Sequence, residues 1–155
     1  MRLTREEMVA AVRMYYDGCN EGNAELIMER LAPDAVHYFP AGALQGTFVG
    51  SRAIANGWRA AVSRLDSRWT IDHLLVDETA QEVTIEWTHW KPKQGIHLRG
   101  VELCRFDDAG RISEIRAYYA APASEPPGIN ELGDFDYVER RYPTAPPDVT
   151  RNFSD

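Results

Sequence analysis

A carboxylate on the apolar side of a β-strand is the first place to look for chemistry in this sequence. In the segment GVELCRFDDAGRISEIRAYYA, Gly100 to Ala120, Glu102 shares strand parity with Leu98, Cys104 and Phe106, because successive side chains of a strand point to opposite faces. A carboxyl group among such neighbours is either paired or held protonated near neutral pH, the state in which it works as an acid. His73 stands in a similar row, Trp69, Ile71, His73 and Leu75. The bland reading of that histidine is a satisfied core residue. Glu86 lies on the next run, where Thr84, Glu86 and Thr88 alternate with Val83, Ile85, Trp87 and His89, and composition alone does not assign its faces. Tyr119 shares a face with Ile115 and Ala117. A sheet curling around helices would gather His73, Glu102, Tyr119 and Glu86 into one space walled by Trp58 and Trp69. Titratable groups of opposite preference in one cavity suit acid/base chemistry.

Other chemistries lack a local signature. There is no P-loop, dinucleotide fingerprint, nucleophile elbow or HExxH. His37, His73, His89 and His97 are not at metal-ligand spacing with each other or with the glutamates, so neither a metal nor a cofactor is expected. Cys19 and Cys104 form no ligand motif and no disulfide framework, and read as reduced core residues.

The elements that must position these residues are legible from periodicity. Thr4 and Glu7 form a capping box, after which Met8, Val12, Tyr15, Tyr16 and Cys19 recur at helical spacing to about Asn20. Asn23 caps a shorter helix reaching Leu31 and stopped by Pro33. A short strand over Ala35 to Phe39 and an extended piece, Thr47 to Val49, precede a helix capped by Ser51 that carries Ile54, Trp58, Ala61, Val62 and Leu65. From Arg68 the period becomes two: strands are expected over Arg68 to Val76, Glu82 to Lys91, Ile96 to Phe106 and Arg111 to Ala120. Their short connections imply antiparallel neighbours. The order predicts an α+β fold with helices on one face of a curved sheet. After Pro122 the chain turns proline-rich, and Phe135, Tyr137, Val138 and Tyr142 form its one hydrophobic cluster. That tail is either solvated or an ordered flap over a cavity mouth or against a partner subunit.

With 155 residues, 44% of them hydrophobic, the chain suits one domain with its own core. A net charge of -7 gives no electrostatic footprint for nucleic acid or an anionic membrane. The N-terminus has no apolar signal region and no run is long enough for a membrane span, so a cytoplasmic location is expected.

Three segments carry a family resemblance: MYYDGCNEGNAELIMERLAPDAVHYFP, GSRAIANGW and RGVELCRFDDAGRISEIRAYY. Over about Met8 to Ala121 the sequence resembles the SnoaL-like and ketosteroid-isomerase-like enzymes of the nuclear transport factor 2-like superfamily. The resemblance implies a cystatin-like curved antiparallel sheet wrapped around N-terminal helices, a cone over residues 1–121 with 122–155 as a C-terminal tail or flap, and a homodimer. Laid on ketosteroid isomerase, Tyr15 falls at the oxyanion-binding tyrosine and Glu102 at the protonated acid beside it, while Phe39 replaces the general base. Against limonene epoxide hydrolase, Glu86 matches one aspartate, Thr84 and Ala117 break the rest of the triad, and His37 takes the place of a water-positioning tyrosine. His73 resembles the strand histidine of scytalone dehydratase.

The expected activity is a cofactor-independent dehydration or isomerisation of a small hydrophobic oxygenated molecule. His73, assisted by His37, would take a proton. Tyr15 and protonated Glu102 would stabilise the oxyanion, and Glu86 would orient a histidine or protonate a leaving hydroxyl. Phe39, Trp58, Trp69 and Tyr119 would form the walls. Hydrolysis by a Glu86/histidine-activated water and an inert ligand-binding module are the alternatives. A homodimer is expected through an outer-face patch of Val83, Ile85, Trp87, Val101 and Leu103.

Overall fold

Helix α1, Arg5–Glu21, begins at its capping box: the Glu7 amide donates to Thr4 Oγ1 at 3.3 Å and the Thr4 amide donates to Glu7 Oε2 at 2.8 Å. It ends at Gly22, whose left-handed φ of 63° suits glycine. Helix α2, Ala24–Arg30, is capped by Asn23 as expected. The computed structural model describes residues 1–43, 45–119, 132–142 and 144–148. Its remaining elements are β1 (Leu31–Tyr38), β2 (Phe48–Val49), α3 (Ser51–Leu65), β3 (Arg68–Asp77), β4 (Glu82–Lys91), a single 3-10 turn over Pro92–Gln94, β5 (Ile96–Phe106) and β6 (Ile112–Tyr118).

One six-stranded sheet runs in the order β2-β1-β6-β5-β4-β3. The meander β3 to β6 is antiparallel throughout, as the short connections require, while β1 joins parallel to β6. The fold is the expected α+β cone, an unclosed curved sheet with the helices on its concave side. Its core forms where Met8, Val12 and Cys19 of α1, Ile27 of α2 and Ile54 of α3 meet Val83, Ile85, Cys104, Ile112 and Ile115 of the sheet, all buried.

Three expectations change. Ser51 is the first helical residue rather than the cap; Gly50, at φ 93°, takes the cap position without a side-chain hydrogen bond. The strand read over Ala35 to Phe39 starts earlier, at Leu31, and carries Pro33 within an irregular stretch between Leu31 and Val36 where pairing to β6 shifts. The patch of Val83, Ile85, Trp87, Val101 and Leu103 does not exist as one surface. Val83, Ile85 and Trp87 are buried under the helices, whereas Val101, on the other face, is 39% exposed.

The tail rings are ordered but do not line the cavity. Phe135 packs edge-on to Tyr38 at 5.2 Å, and Tyr137 and Tyr142 pack on Phe135. Tyr38 alternates with inward-facing His37, so this cluster sits on the sheet's outer face. Arg140 lies over the Phe135 ring at 4.1 Å and donates to Glu114 Oε2 at 2.8 Å, joining a network with Arg116, Glu82 and Arg105. The same segment braces the loop after β1. The Gly133 amide donates to the Phe39 carbonyl at 2.9 Å, and Thr47 Oγ1 donates to Asp134 Oδ2 at 2.9 Å. The boundary expected at 121/122 and the prolines at 122, 126, 127 and 143 lie outside the described residues.

Candidate active site

Between the concave face of the sheet and helices α1 and α3 lies a cavity of about 350 Å³, a size that accepts small organic ligands. Its walls are mainly rings. Phe39 and Phe48 meet Trp58 edge-on, and Trp58 meets Trp69 at 5.3 Å. Tyr119 borders the rim, where the Gln45 side-chain amide donates to its hydroxyl at 2.9 Å.

At the buried end stand Glu102 and His37, 6% and 1% exposed. Glu102 on β5 pairs with Ala117 on β6, and His37 on β1 pairs with Ile115. Ala117 offers only a methyl above β6, so the carboxyl and the imidazole lean toward each other over it. Glu102 Oε2 and His37 Nε2 end 3.9 Å apart. That separation is too long for a direct hydrogen bond and short enough for one ligand group to touch both.

The protonation states follow from the surroundings. Burial pushes the Glu102 carboxyl up to about 7, against the opposing effect of a hydrogen bond from Tyr16. Tyr16 Oη donates to Glu102 Oε1 at 2.8 Å, which leaves Oε2 as the oxygen that carries the acid proton. Burial lowers His37 to about 3, so the ring is neutral. Its Nδ1 lies 3.2 Å from the Tyr38 carbonyl, and a carbonyl only accepts, so Nδ1 bears the hydrogen. Nε2 is therefore a bare lone pair, and it has no partner although it is buried. Below about pH 7 two neutral groups face each other, one holding a proton and one able to take it. This is not an ion pair.

Further donors surround them. Burial raises the Tyr15 and Tyr16 phenols well above their ordinary range and keeps both protonated. Tyr15 accepts from Trp58 Nε1 at 2.8 Å, so the group it can offer a ligand is its own O–H. Trp87 Nε1 is buried without a partner on the same cavity wall. Its ring lies flat on β5 because residue 100 is glycine; a Cβ there would stand 2.5 Å from Trp87 Cζ2.

Of the residues singled out from sequence, Glu102, His37, Tyr15, Phe39, Trp58, Trp69 and Tyr119 line this cavity. His73 and Glu86 do not. A β-bulge explains His73: Ile71 pairs with Trp87 and His73 with the adjacent Glu86, leaving Asp72 as an extra residue. Alternation is reset there, so Leu74 and Val76 point inward and His73 is exposed. Glu86 is exposed for a simpler reason, since Ile85 and Trp87 on either side of it fill the core. Sequence reasoning missed Tyr16, Trp87, His89 and Lys91 as lining residues. Tyr16 was visible as part of the buried stripe of α1, and the other three as one parity row of β4. Among the described residues no group of three or more His, Cys, Asp or Glu side chains stands together as a metal site, and no helix is long and apolar enough to cross a membrane.

A curved, unclosed sheet with helices packed on its concave face is the cone architecture of nuclear transport factor 2-like proteins. Within it, the chain belongs to the family of SnoaL-like domains, whose model matches residues 12–115. It is similar to a protein of unknown function with a cystatin-like fold from Methylobium petroleophilum PM1, at 47% identity over 97% of this chain and 100% of that one, with a TM-score of 0.89. A nuclear transport factor 2-like protein of unknown function from Mesorhizobium loti shares 26% identity over 75% of this chain and 93% of that one, TM-score 0.63. The epoxide hydrolase/cyclase-like enzyme SalBIII of pyran ring formation in salinomycin is similar in fold, at 16% identity over 76% and 94% of the two chains, TM-score 0.64. A search of curated proteins gives no significant match.

Proposed function

We propose that the protein is a cofactor-independent acid/base enzyme that isomerises or dehydrates a small hydrophobic carbonyl compound, with His37 as base and Glu102 as acid. The observation that carries this is the bare His37 Nε2 facing protonated Glu102 Oε2 across 3.9 Å at the end of an apolar cavity. His37 Nε2 takes the proton from the carbon next to the carbonyl. Glu102 Oε2 gives its proton to the carbonyl oxygen as negative charge develops there, and the enol results. An imidazole lowered to about 3 is a weak base alone. Coupling its protonation to the loss of the Glu102 proton leaves an imidazolium beside a carboxylate, each relieving the other's burial. Tyr16 holds Oε1, and Tyr15 and Trp87 Nε1 offer donors to the substrate's oxygens. Transfer of the His37 proton to the γ-carbon of a β,γ-unsaturated substrate completes an isomerisation, and departure of a β-hydroxyl as water with the His37 proton completes a dehydration; in both, the enol hydrogen returns to Glu102 Oε2 as the carbonyl re-forms.

Hydrolysis is the weaker reading, because Glu86, the carboxylate it requires, is on the outer face and Glu102 is held protonated below about pH 7. The test is deuterium incorporation in D2O next to the carbonyl of bicyclic ketones such as the tetralones, followed by NMR. Catalysed exchange that falls about 100-fold in both His37→Ala and Glu102→Gln is expected. Exchange that persists in both variants, or no catalysis by the native protein, refutes the proposal.

A further inference from the structure

The inner face of β4 carries Ile85, Trp87, His89 and Lys91, which pair across β5 with Glu102, Gly100, Leu98 and Ile96. Lys91 ends this row, six positions beyond the level of Glu102, or about 20 Å of strand before curvature is allowed for. His89 and Lys91 both line the cavity. His89 is stacked on Trp69 at 4.5 Å, with its Nε2 2.8 Å from Ser67 Oγ. Burial, and secondarily the neighbouring Lys91, lower its pKa to about 4, so it is neutral. With Glu102 also uncharged below about 7, Lys91 carries the one full charge among the described lining residues.

That charge is unanswered within the described residues. Every ion pair they form involves other side chains, and no carboxylate lies within 4.0 Å of the Lys91 ammonium. The neighbouring Lys93 behaves differently, donating to the Ser63 carbonyl at 3.3 Å. A cation on an apolar wall, without a counter-charge, favours an anion brought by the ligand. Below about pH 7 the pair at the other end of the cavity, His37 and Glu102, is neutral and repels nothing.

We propose that the cavity binds an elongated apolar carboxylate, its anionic group on Lys91 and its carbonyl end at His37 and Glu102. The anion site stands on the Lys91 geometry alone, whereas the assignment of the reacting end rests on the function proposed above. Substrate selection then works by a charged anchor remote from the chemistry, which fixes register along a cavity whose ring-lined walls would otherwise let an apolar molecule slide.

The experiment uses 6-methoxy-2-naphthylacetic acid and its primary amide, which share shape and differ in charge, titrated calorimetrically into the full chain at pH 6, where Glu102 is protonated. The native protein should bind the acid about tenfold or more tighter than the amide, the scale of a hydrogen bond to a charged group. Lys91→Gln should abolish that preference while leaving the amide's affinity unchanged, and Lys91→Arg should retain it. Equal binding of acid and amide, a preference that survives Lys91→Gln, or no binding of the acid by the native protein overturns the proposal. Because the readout is affinity, loss of the ketone exchange reaction with this preference intact would refute the acid/base reading and leave the anion site standing.

Discussion

Glu102→Gln tests the buried acid through stability alone, without a substrate. The carboxyl ordinarily titrates at 4.5 and is raised by burial to about 7 in the folded chain. Between those values the folded protein holds a proton that the unfolded chain has released, so stability falls as pH rises through the interval. At about 1.36 kcal/mol per pH unit, the span from 4.5 to about 7 amounts to about 3 kcal/mol. Glutamine keeps the shape, and its side-chain oxygen still accepts from Tyr16, but it cannot ionise. The stability of the variant minus that of the parent should therefore be constant below pH 4.5, rise by about 3 kcal/mol toward pH 7 and level off above it. His37 and His89, lowered to about 3 and about 4, impose the opposite slope below 6.5, losing stability as pH falls, but they do so in both proteins and cancel in the difference. Urea unfolding from pH 4 to 8.5 reads this as a divergence in midpoint of about 1 to 2 M. A difference independent of pH, or one that shrinks as pH rises, would mean that the carboxyl is ionised or paired in the folded state, and the acid would be misassigned.

Gly100→Ala should cost about 1 to 3 kcal/mol in chemical denaturation, because the added methyl meets Trp87 Cζ2 at 2.5 Å and the Tyr118 carbonyl at 2.9 Å; an unchanged midpoint would show that the indole does not lie where the cavity requires it. Arg140→Ala removes the guanidinium that joins Glu114 to the Phe135 ring, so the Gly133 amide should exchange at least tenfold faster by NMR while β4 and β5 amides stay protected; equal protection of Gly133 would mean that the tail docks without it. The outer face still exposes Leu75, Trp90 and Val101 at 39 to 58%, and we expect a homodimer through it, so light scattering should give twice the 17.6 kDa chain mass; a monomer at micromolar concentration contradicts this.

The regular parts of the fold were readable from local chemistry. The capping box at Thr4 and Glu7 and the limits of β4 and β5 need only short-range patterns, and the structure reproduces them. His73 was misplaced because parity counting assumes an uninterrupted strand, and the extra residue Asp72 shifts every later side chain to the other face. Glu86 was ambiguous because β4 has large groups on both sides, and only the packing of Val83, Ile85 and Trp87 against the helices decides between them. Tyr15 and Tyr16 both fall on the buried stripe of α1. Which of them reaches Glu102 depends on helix rotation, about 100° per residue, and the structure gives that contact to Tyr16. His37 lies in a short, proline-containing strand whose period is too brief to read, so its inward direction came from resemblance rather than pattern.

The pairing of a neutral base with a protonated acid is tested most directly by NMR titration of protein labelled with 15N in histidine and 13C in the glutamate carboxyl. His37 should remain neutral from pH 5 to 8 with its hydrogen on Nδ1, and the Glu102 carboxyl should titrate at about 7. A His37 imidazolium in that range, or a Glu102 carboxyl already ionised at pH 5, would contradict the account.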